Sequence, residues 1–412
     1  MPDAPFPAAA PPLPYARHWV DDDDVAAVCG VLRGDFLTSG PVIPRLEAAL
    51  AERFGVGHVV ACASGTAALH LAALAFGLGP GDSAVVPAMT FLATANAVRL
   101  TGAEVRFADV DPETGLMRPQ DLASALARED GPPAKALFPV HLNGQSCDMA
   151  ELAAIARKHG LKAAEDGCHA LGGWQGEADG GLAPVGACRS SDAACFSLPP
   201  AKAIAAGEGG AVATDDPELA ERLARLRNHG MTRDPTRFEQ SELACSEATK
   251  TANPWYYEMP EVGPNYRLSD IHAALALSQL SKLGRFLKRR RALADAYESA
   301  LAPLAPLVRP IGRVAGGRHA WHLYAVHVDF AAAGIDRAAL MARLAARGIG
   351  SQVHYIPVHR QPYYRRRYGE IALPGAEAYY AGCLSLPLFP KMADGDVARV
   401  AEALAEALGA KP

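Results

Sequence analysis

Between His58 and Glu165 the chain alternates short apolar runs with amphipathic stretches, and few architectures accept that pattern. Strands are predicted at His58 to Cys62, Ala84 to Pro87, Glu104 to Ala108, Ala136 to Val140 and Lys162 to Glu165. Between them, helical periodicity runs over Ala67 to Phe76, Thr94 to Leu100, Pro119 to Arg128 and Met149 to His159. Strands this short and this apolar are buried on both faces, so the alternation implies an α/β fold with a largely parallel sheet covered by helices. Open sheets of this kind bind ligands at the carboxyl ends of their strands, and Thr66, His141, Asp166 and Lys202 all fall on or soon after such ends.

The flanking segments complete the layout. Asp21 to Asp24 precedes an apolar-periodic run through Val31, as a capped helix with acidic residues at its positive end would. Arg45 to Phe54 is a second amphipathic helix. A long helical pattern from Ile271 to Ala302 leads away from the sheet, and the chain beyond Leu304 reads as a smaller α+β unit. Its strands are expected at His322 to Val328 and Gly350 to His354, its helices at Arg337 to Arg347, Ala376 to Ala381 and Asp394 to Leu408. The expected division is a loose N-terminal segment, 1–20, a large domain, 21–285, and a small C-terminal domain, 286–412.

Charge and cysteine usage narrow the function. Forty Lys and Arg against 45 Asp and Glu leave a formal net charge of −5, which offers nucleic acid or an acidic membrane no general attraction. The runs Lys288 to Arg291 and Arg365 to Arg367 are short and read as solvated helix faces. Eight cysteines are scattered without CxxC spacing, which argues against a disulfide framework or a zinc cluster and fits a reducing cytoplasm. Met1 to Pro14 has neither a basic start nor a continuous apolar core, and no apolar stretch approaches the roughly 20 residues that span a bilayer. No metal site is expected: Cys168 beside His169 lacks the spacing of a ligand set.

Four features carry chemistry. Lys202 lies on a proline-stiffened segment, Pro199-Pro200-Ala201-Lys202, between two apolar runs, where a partly dry cleft can hold an amine able to react with a carbonyl. Ser64-Gly65-Thr66-Ala67 joins a strand to a helix, so the Thr66 and Ala67 N–H groups and the Thr66 hydroxyl form an anion site. Asp166 ends a buried strand and needs a cation or several donors. Phe91 follows another strand end and can stack on an aromatic ring, and Ser197 can supply a second phosphate hydroxyl. Taken singly, each has an ordinary reading: a solvated lysine, a helix cap, a core phenylalanine. Together, a phosphate cradle, an aromatic lid, an acid and a lysine are what pyridoxal 5'-phosphate requires.

The same residues carry a family resemblance. Ser64 to His70, Pro139-Val140-His141 with Gly144-Gln145, Glu165-Asp166, Phe196-Ser197 to Lys202, Arg227 to Gly230 and Asn265-Tyr266-Arg267-Leu268 resemble, in order, the signatures of the DegT/DnrJ-type nucleotide-sugar aminotransferases, from about Ala16 to Ala405. The resemblance implies the aspartate-aminotransferase-like architecture of fold-type I pyridoxal-phosphate enzymes and a homodimer. It implies that Lys202 bonds the cofactor aldehyde, Asp166 binds the pyridinium nitrogen and Phe91 stacks on the ring. Thr66, Ala67 and Ser197 then hold the phosphate, His169 contacts the cofactor, and Asn265 reaches in from the other subunit.

His169 stands where many members have Gln. Asp166 to Gly172, Gly207 to Gly210, Pro254 to Met259 and Val353 to His359 with Gln361 to Tyr364 resemble the pseudaminic-acid pathway aminotransferases in particular. That implies conversion of UDP-2-acetamido-2,6-dideoxy-β-L-arabino-hexos-4-ulose to UDP-4-amino-4,6-dideoxy-N-acetyl-β-L-altrosamine, with L-glutamate as donor. Trp255, Tyr256 and Tyr257, between Pro254 and Pro260, read as a substrate-binding loop; Arg267, His354 and Tyr355 are the other substrate candidates, with His354 preferred over His229 and His322. Two alternatives stay open: amination of a UDP- or dTDP-linked keto sugar of different stereochemistry, and a pyridoxal-phosphate-binding regulatory protein without turnover. A dehydratase relative would carry His in place of Lys202.

Overall fold

The computed structural model describes residues 11–246, 248 and 251–409, so the first half of the expected N-terminal segment lies outside the described residues. In chain order the strands are β1 (His58–Cys62), β2 (Ser83–Pro87), β3 (Glu104–Ala108), β4 (Ala134–Leu137), β5 (Lys162–Asp166), β6 (Trp174–Gly176), β7 (Leu182–Pro184), β8 (Ala193–Ser197), β9 (Gly210–Thr214), β10 (Val308–Pro310), β11 (Tyr324–Val328) and β12 (Cys383–Leu386). Seven form the central sheet in the order β1-β9-β8-β5-β4-β2-β3. The four pairings from β8 to β3 are parallel, and only β9 runs antiparallel to its two neighbours. β6 and β7 form a separate hairpin.

Side-chain alternation explains why the sheet is covered on both faces. On β1, Val60 and Cys62 enter one apolar core while Val59 and Ala61 enter the other; on β8, Ala193 and Cys195 take the first and Ala194 and Phe196 the second. Successive strand residues point to opposite faces, so a run apolar at every position must be buried twice. One face receives the helices Gly65–Ala75, Leu92–Leu100, Pro119–Leu126 and Met149–Lys158. The other receives Val42–Phe54, whose Leu46, Leu50 and Phe54 follow one another at the four-residue spacing of a helix stripe and are at most 1% exposed. Each such side chain contributes about 2 kcal/mol by leaving water.

The helix Asp270–Leu301, capped by the Ser269 hydroxyl, belongs to two cores. Leu283 and Phe286 pack beneath the central sheet, whereas Leu293, Tyr297 and Leu301 pack under the C-terminal three-stranded sheet β10-β11-β12. Arg290 sits between these two stretches, 2% exposed, with Nη1 donating to the carbonyls of Trp321, His322 and Leu388 at 3.0 to 3.1 Å. A buried guanidinium needs acceptors on this scale, and here they bind the helix to the segment that carries His322.

Two sequence expectations are corrected. Gly350 to His354 is not a strand: along the open side of β12 it pairs only at an isolated bridge, Gln352 to Ser385, and the Gly350 N–H turns instead to Leu13 O. The N-terminal segment is not loose where it is described. Leu13 N–H donates to Gly348 O at 2.7 Å, Gly350 N–H to Leu13 O at 2.8 Å and Leu388 N–H to Tyr15 O at 3.1 Å, and the Leu13 side chain enters the C-terminal core.

Candidate active site

A cleft of about 570 Å³ opens at the carboxyl ends of β1, β2, β5 and β8. Asp166, the last residue of β5, is 5% exposed at its floor. Its Oδ2 accepts from the Thr94 hydroxyl at 2.7 Å and its Oδ1 from the Cys168 N–H at 3.1 Å. Thr94 is itself partnered by Thr90 Oγ1 at 2.8 Å; since the Thr94 hydrogen goes to the carboxylate, Thr90 is the donor. Thr94 was not visible as a site residue in the sequence. Its signal is positional: it follows the β2 strand end in the first turn of Leu92–Leu100, the turn that faces a ligand at a sheet's carboxyl edge.

Lys202 reaches the same cleft from the loop between β8 and β9. Because those strands are antiparallel neighbours, a short loop joins them with no crossover helix. Leu198 N–H to Gly209 O at 2.9 Å, Ala206 N–H to Leu198 O at 2.7 Å and Lys202 N–H to Pro199 O at 2.9 Å close it. The lysine is half-buried, and burial pushes its amine down from the ordinary lysine value, toward the neutral form that attacks carbonyls.

At the start of Gly65–Ala75, Thr66 faces the cleft together with Ser197 from the end of β8. Ala67 is corrected in detail: Ser64 Oγ caps the helix by accepting the Ala67 N–H at 3.1 Å, which leaves Gly65 and Thr66 to offer first-turn N–H groups. Gly65 is required by closeness, because a Cβ there would lie 2.5 Å from Ser197 Cβ and 2.6 Å from its Oγ. Gly65→Ala is expected to destabilise the fold by about 2 kcal/mol, despite alanine's better helix propensity, and to weaken cofactor retention. Thermal unfolding and a cofactor titration check this; an unchanged midpoint would show that Ser197 moves aside freely.

Phe91, 55% exposed, and Tyr355 form one wall, ring centroids 5.8 Å apart, and His169 and His354 stand behind. His354 Nδ1 meets the Ser385 hydroxyl at 2.8 Å, and burial pushes its imidazole down to about 4. Burial and the Lys202 charge hold His169 well below the ordinary histidine value. Tyr15, Gln352 and Glu208 complete the rim, Tyr15 coming from the supposedly loose N-terminal segment.

The remaining candidates lie outside this cleft. Trp255 is 72% exposed, Tyr256 donates its hydroxyl to Glu258 at 2.9 Å, and Arg267 Nη1 donates to Asn228 Oδ1 at 2.6 Å. Asn265, exposed, bridges to Asn228. None of the four lines the chain's own cleft. Among the described residues no cluster of His, Cys, Asp or Glu converges as metal ligands, and no helix is long and apolar enough to cross a membrane.

The donor set fits pyridoxal phosphate. A buried carboxylate lines the cleft with acceptor capacity beyond its two hydrogen bonds, a helix start and two hydroxyls suit a phosphate, and an amine lines the same cleft. Residues 19–405 match the model of the DegT/DnrJ/EryC1/StrS aminotransferase family. The chain belongs to that family. Membership makes it an aminotransferase of the pyridoxal-phosphate-dependent, nucleotide-sugar type, with the fold-type I architecture.

Several solved structures superpose on nearly the whole chain. Helicobacter pylori PseC, an aminotransferase involved in the biosynthesis of pseudoaminic acid, is 27% identical with a TM-score of 0.83, over 97% of this chain and 99% of its own. S. venezuelae DesV, solved in complex with a ketimine intermediate, is 33% identical with a TM-score of 0.82, over 98% of this chain and 100% of its own. The putative sugar aminotransferase Spr1654 of Streptococcus pneumoniae, in its PLP-form, is 25% identical with a TM-score of 0.82, over 97% and 99%.

Proposed function

We propose that this aminotransferase moves the amino group of L-glutamate to the C4 ketone of UDP-2-acetamido-2,6-dideoxy-β-L-arabino-hexos-4-ulose, giving UDP-4-amino-4,6-dideoxy-N-acetyl-β-L-altrosamine for pseudaminic acid biosynthesis. The observation that carries the reaction type is the convergence of Lys202, Asp166, Thr66 and Ser197 on one cleft. Similarity to PseC over nearly the whole chain supports the sugar.

When bound, pyridoxal phosphate supplies a conjugated cationic ring that takes up the electron pair left by deprotonation. The protein's own groups do the rest. Lys202 Nζ removes the α-proton of glutamate and later protonates C4 of the sugar, and the face from which it does so sets the configuration at that carbon. Asp166 holds a positive ring nitrogen, with Thr94 and Cys168 N–H fixing the direction of its two oxygens. Thr66, Ser197 and the first-turn N–H groups would hold the phosphate, and Phe91 and His169, which line the same cleft, would contact the ring.

Asn265 acts in this reading across a two-fold interface, contributing to the cofactor cleft of a second copy, and Trp255, Tyr256 and Arg267 act as substrate-binding residues. In this reading the two domains divide at 285/286, close to where the helix Asp270–Leu301 passes from one core to the other, and the unpaired cysteines suit a cytoplasmic location.

The chain is 32% identical to DesI, solved in the presence of its TDP-sugar product, against 27% to PseC, and this favours a second reading, amination of a different keto sugar linked to UDP or dTDP. One experiment decides: several UDP- and dTDP-linked 4-keto sugars are supplied with labelled glutamate and the product configuration is read by NMR. Amination of the L-arabino 4-ketone is expected; label appearing only in a D-configured product removes the pseudaminic assignment.

A further inference from the structure

Behind the cleft wall lies a directed chain of hydrogen bonds. It begins at Asn143, which sits at φ +60° in a turn made tight by Gly144, where a Cβ would come within 2.9 Å of His169 O. That left-handed turn is uncommon for a residue other than glycine, and it aims the Asn143 backbone N–H at His169 Nδ1, 3.3 Å away. The Asn143 side chain is anchored in turn, its Nδ2 donating to the buried Tyr379 hydroxyl at 3.0 Å.

The consequence for His169 is a fixed tautomer. Nδ1 accepts from a backbone donor that cannot reverse, so the ring hydrogen resides on Nε2, and His169 is itself only 6% exposed. Nε2 lies 3.0 Å from the Tyr355 hydroxyl oxygen and donates to it. Tyr355 is held at its backbone as well, its N–H directed at Met89 Sδ at 3.3 Å. The phenol oxygen therefore already accepts, and among the described residues no acceptor takes its hydrogen. Tyr355 lines the cleft shared with Lys202 and Asp166, so an oxygen bound there can take that hydrogen.

We infer that Tyr355 is an obligate hydrogen-bond donor to an oxygen atom bound in the cleft, and that His169 is the positioning residue that sets this direction. The inference rests on the aminotransferase reading above for the identity of the occupant. The oxygen belongs either to the cofactor ring or to the sugar; the chemistry is the same, and the two are separated by experiment. Burial, reinforced by the nearby Asp166 charge, keeps the phenol protonated.

The direction of the chain yields a test that a packing role would not pass. Glutamine reproduces the order of histidine's groups: its amide oxygen accepts from Asn143 N–H and its amide nitrogen donates to Tyr355. Glutamate, as a carboxylate, accepts on both sides and turns the Tyr355 hydrogen away from the cleft. The variants H169Q, H169E, Y355F and the double variant H169E/Y355F are prepared with bound pyridoxal phosphate. Two quantities are read: the absorbance of the bound cofactor without substrate, and kcat and KM for the keto sugar with glutamate.

H169E is expected to fall about 30-fold below H169Q in kcat/KM, Y355F to match H169E, and the double variant to be no worse than either. A shifted cofactor absorbance in H169E and Y355F assigns the oxygen to the cofactor; an unshifted absorbance with a raised KM assigns it to the sugar. Equal values for H169Q and H169E, or additive losses in the double variant, overturn the inference. If H169E does not fold, Y355F decides alone, since wild-type absorbance, kcat and KM in that variant also overturn it. If the unaltered enzyme aminates none of the sugars, the functional reading fails, while the absorbance comparison still tests the direction of the chain.

Discussion

Replacing Lys202 by alanine is expected to lower amino transfer by at least about 10⁴-fold while leaving a folded protein. The magnitude follows from losing the group that moves the proton in both half-reactions, whose contribution as general acid and base alone is about 10²- to 10⁴-fold. No other amine can take over: among the described residues Lys202 is the only lysine lining the cleft. Stability is expected to hold, because the half-buried amine is disfavoured by its surroundings and its removal leaves the backbone bonds of the loop intact. Turnover with glutamate, the absorbance of bound cofactor and the circular dichroism of the same sample check the prediction together. Residual turnover near the wild-type rate would mean that the proton moves through another residue.

Asp166→Asn is the second large effect, a loss of about 10³-fold in kcat. Asparagine matches the carboxylate in size, and its oxygen can keep the Cys168 N–H while the Thr94 hydroxyl turns to accept from the new amide. The fold should thus survive. What is lost is the negative charge, without which a pyridine nitrogen at this position meets a neutral amide and is not held protonated. Steady-state kinetics measured beside the unfolding midpoint separate the two: an intact midpoint with kcat reduced by less than tenfold would remove Asp166 from the role assigned to it.

Both predictions concern residues that the sequence exposes, and the reason is physical. Asp166 and Lys202 interrupt apolar runs, so each stands out as a charge where burial would otherwise be unbroken, and strand-to-helix periodicity marks Thr66 in the same way. The five strands expected between His58 and Glu165 form within a few residues of their expected bounds because strand and helix periods differ so clearly there. The antiparallel course of β9 was not legible, since pairing direction depends on how the chain returns and not on which residues are apolar.

Other parts of the site depend on contacts between residues far apart in sequence. Thr94 bonds to Asp166 across 72 positions and His169 to Tyr355 across 186, and no local pattern anticipates either. Gly350 to His354 has the composition of a strand, but it meets the open side of β12 only at the Gln352–Ser385 bridge, while Gly350 bonds to Leu13 from the far end of the chain. The capping use of the Ala67 N–H was hidden because Ser64 and Thr66 are equally plausible as the oxygen that serves the helix.

The pairing of Leu13 with the backbone around Ile349 bears on how the enzyme is made. Residues 11–15 leave the ribosome more than three hundred residues ahead of the partners that will hold them, and Tyr15, which belongs to the rim of the cleft, travels with them. Synthesis therefore delivers the rim residue early and its attachment late. At translation speeds of about 5–20 residues per second, that interval is on the order of tens of seconds, during which the segment remains open to chaperones and proteases. A nascent chain halted before residue 348 would contain the lysine, the acid and the phosphate cradle, and would still lack the surface on which its own leading segment comes to rest.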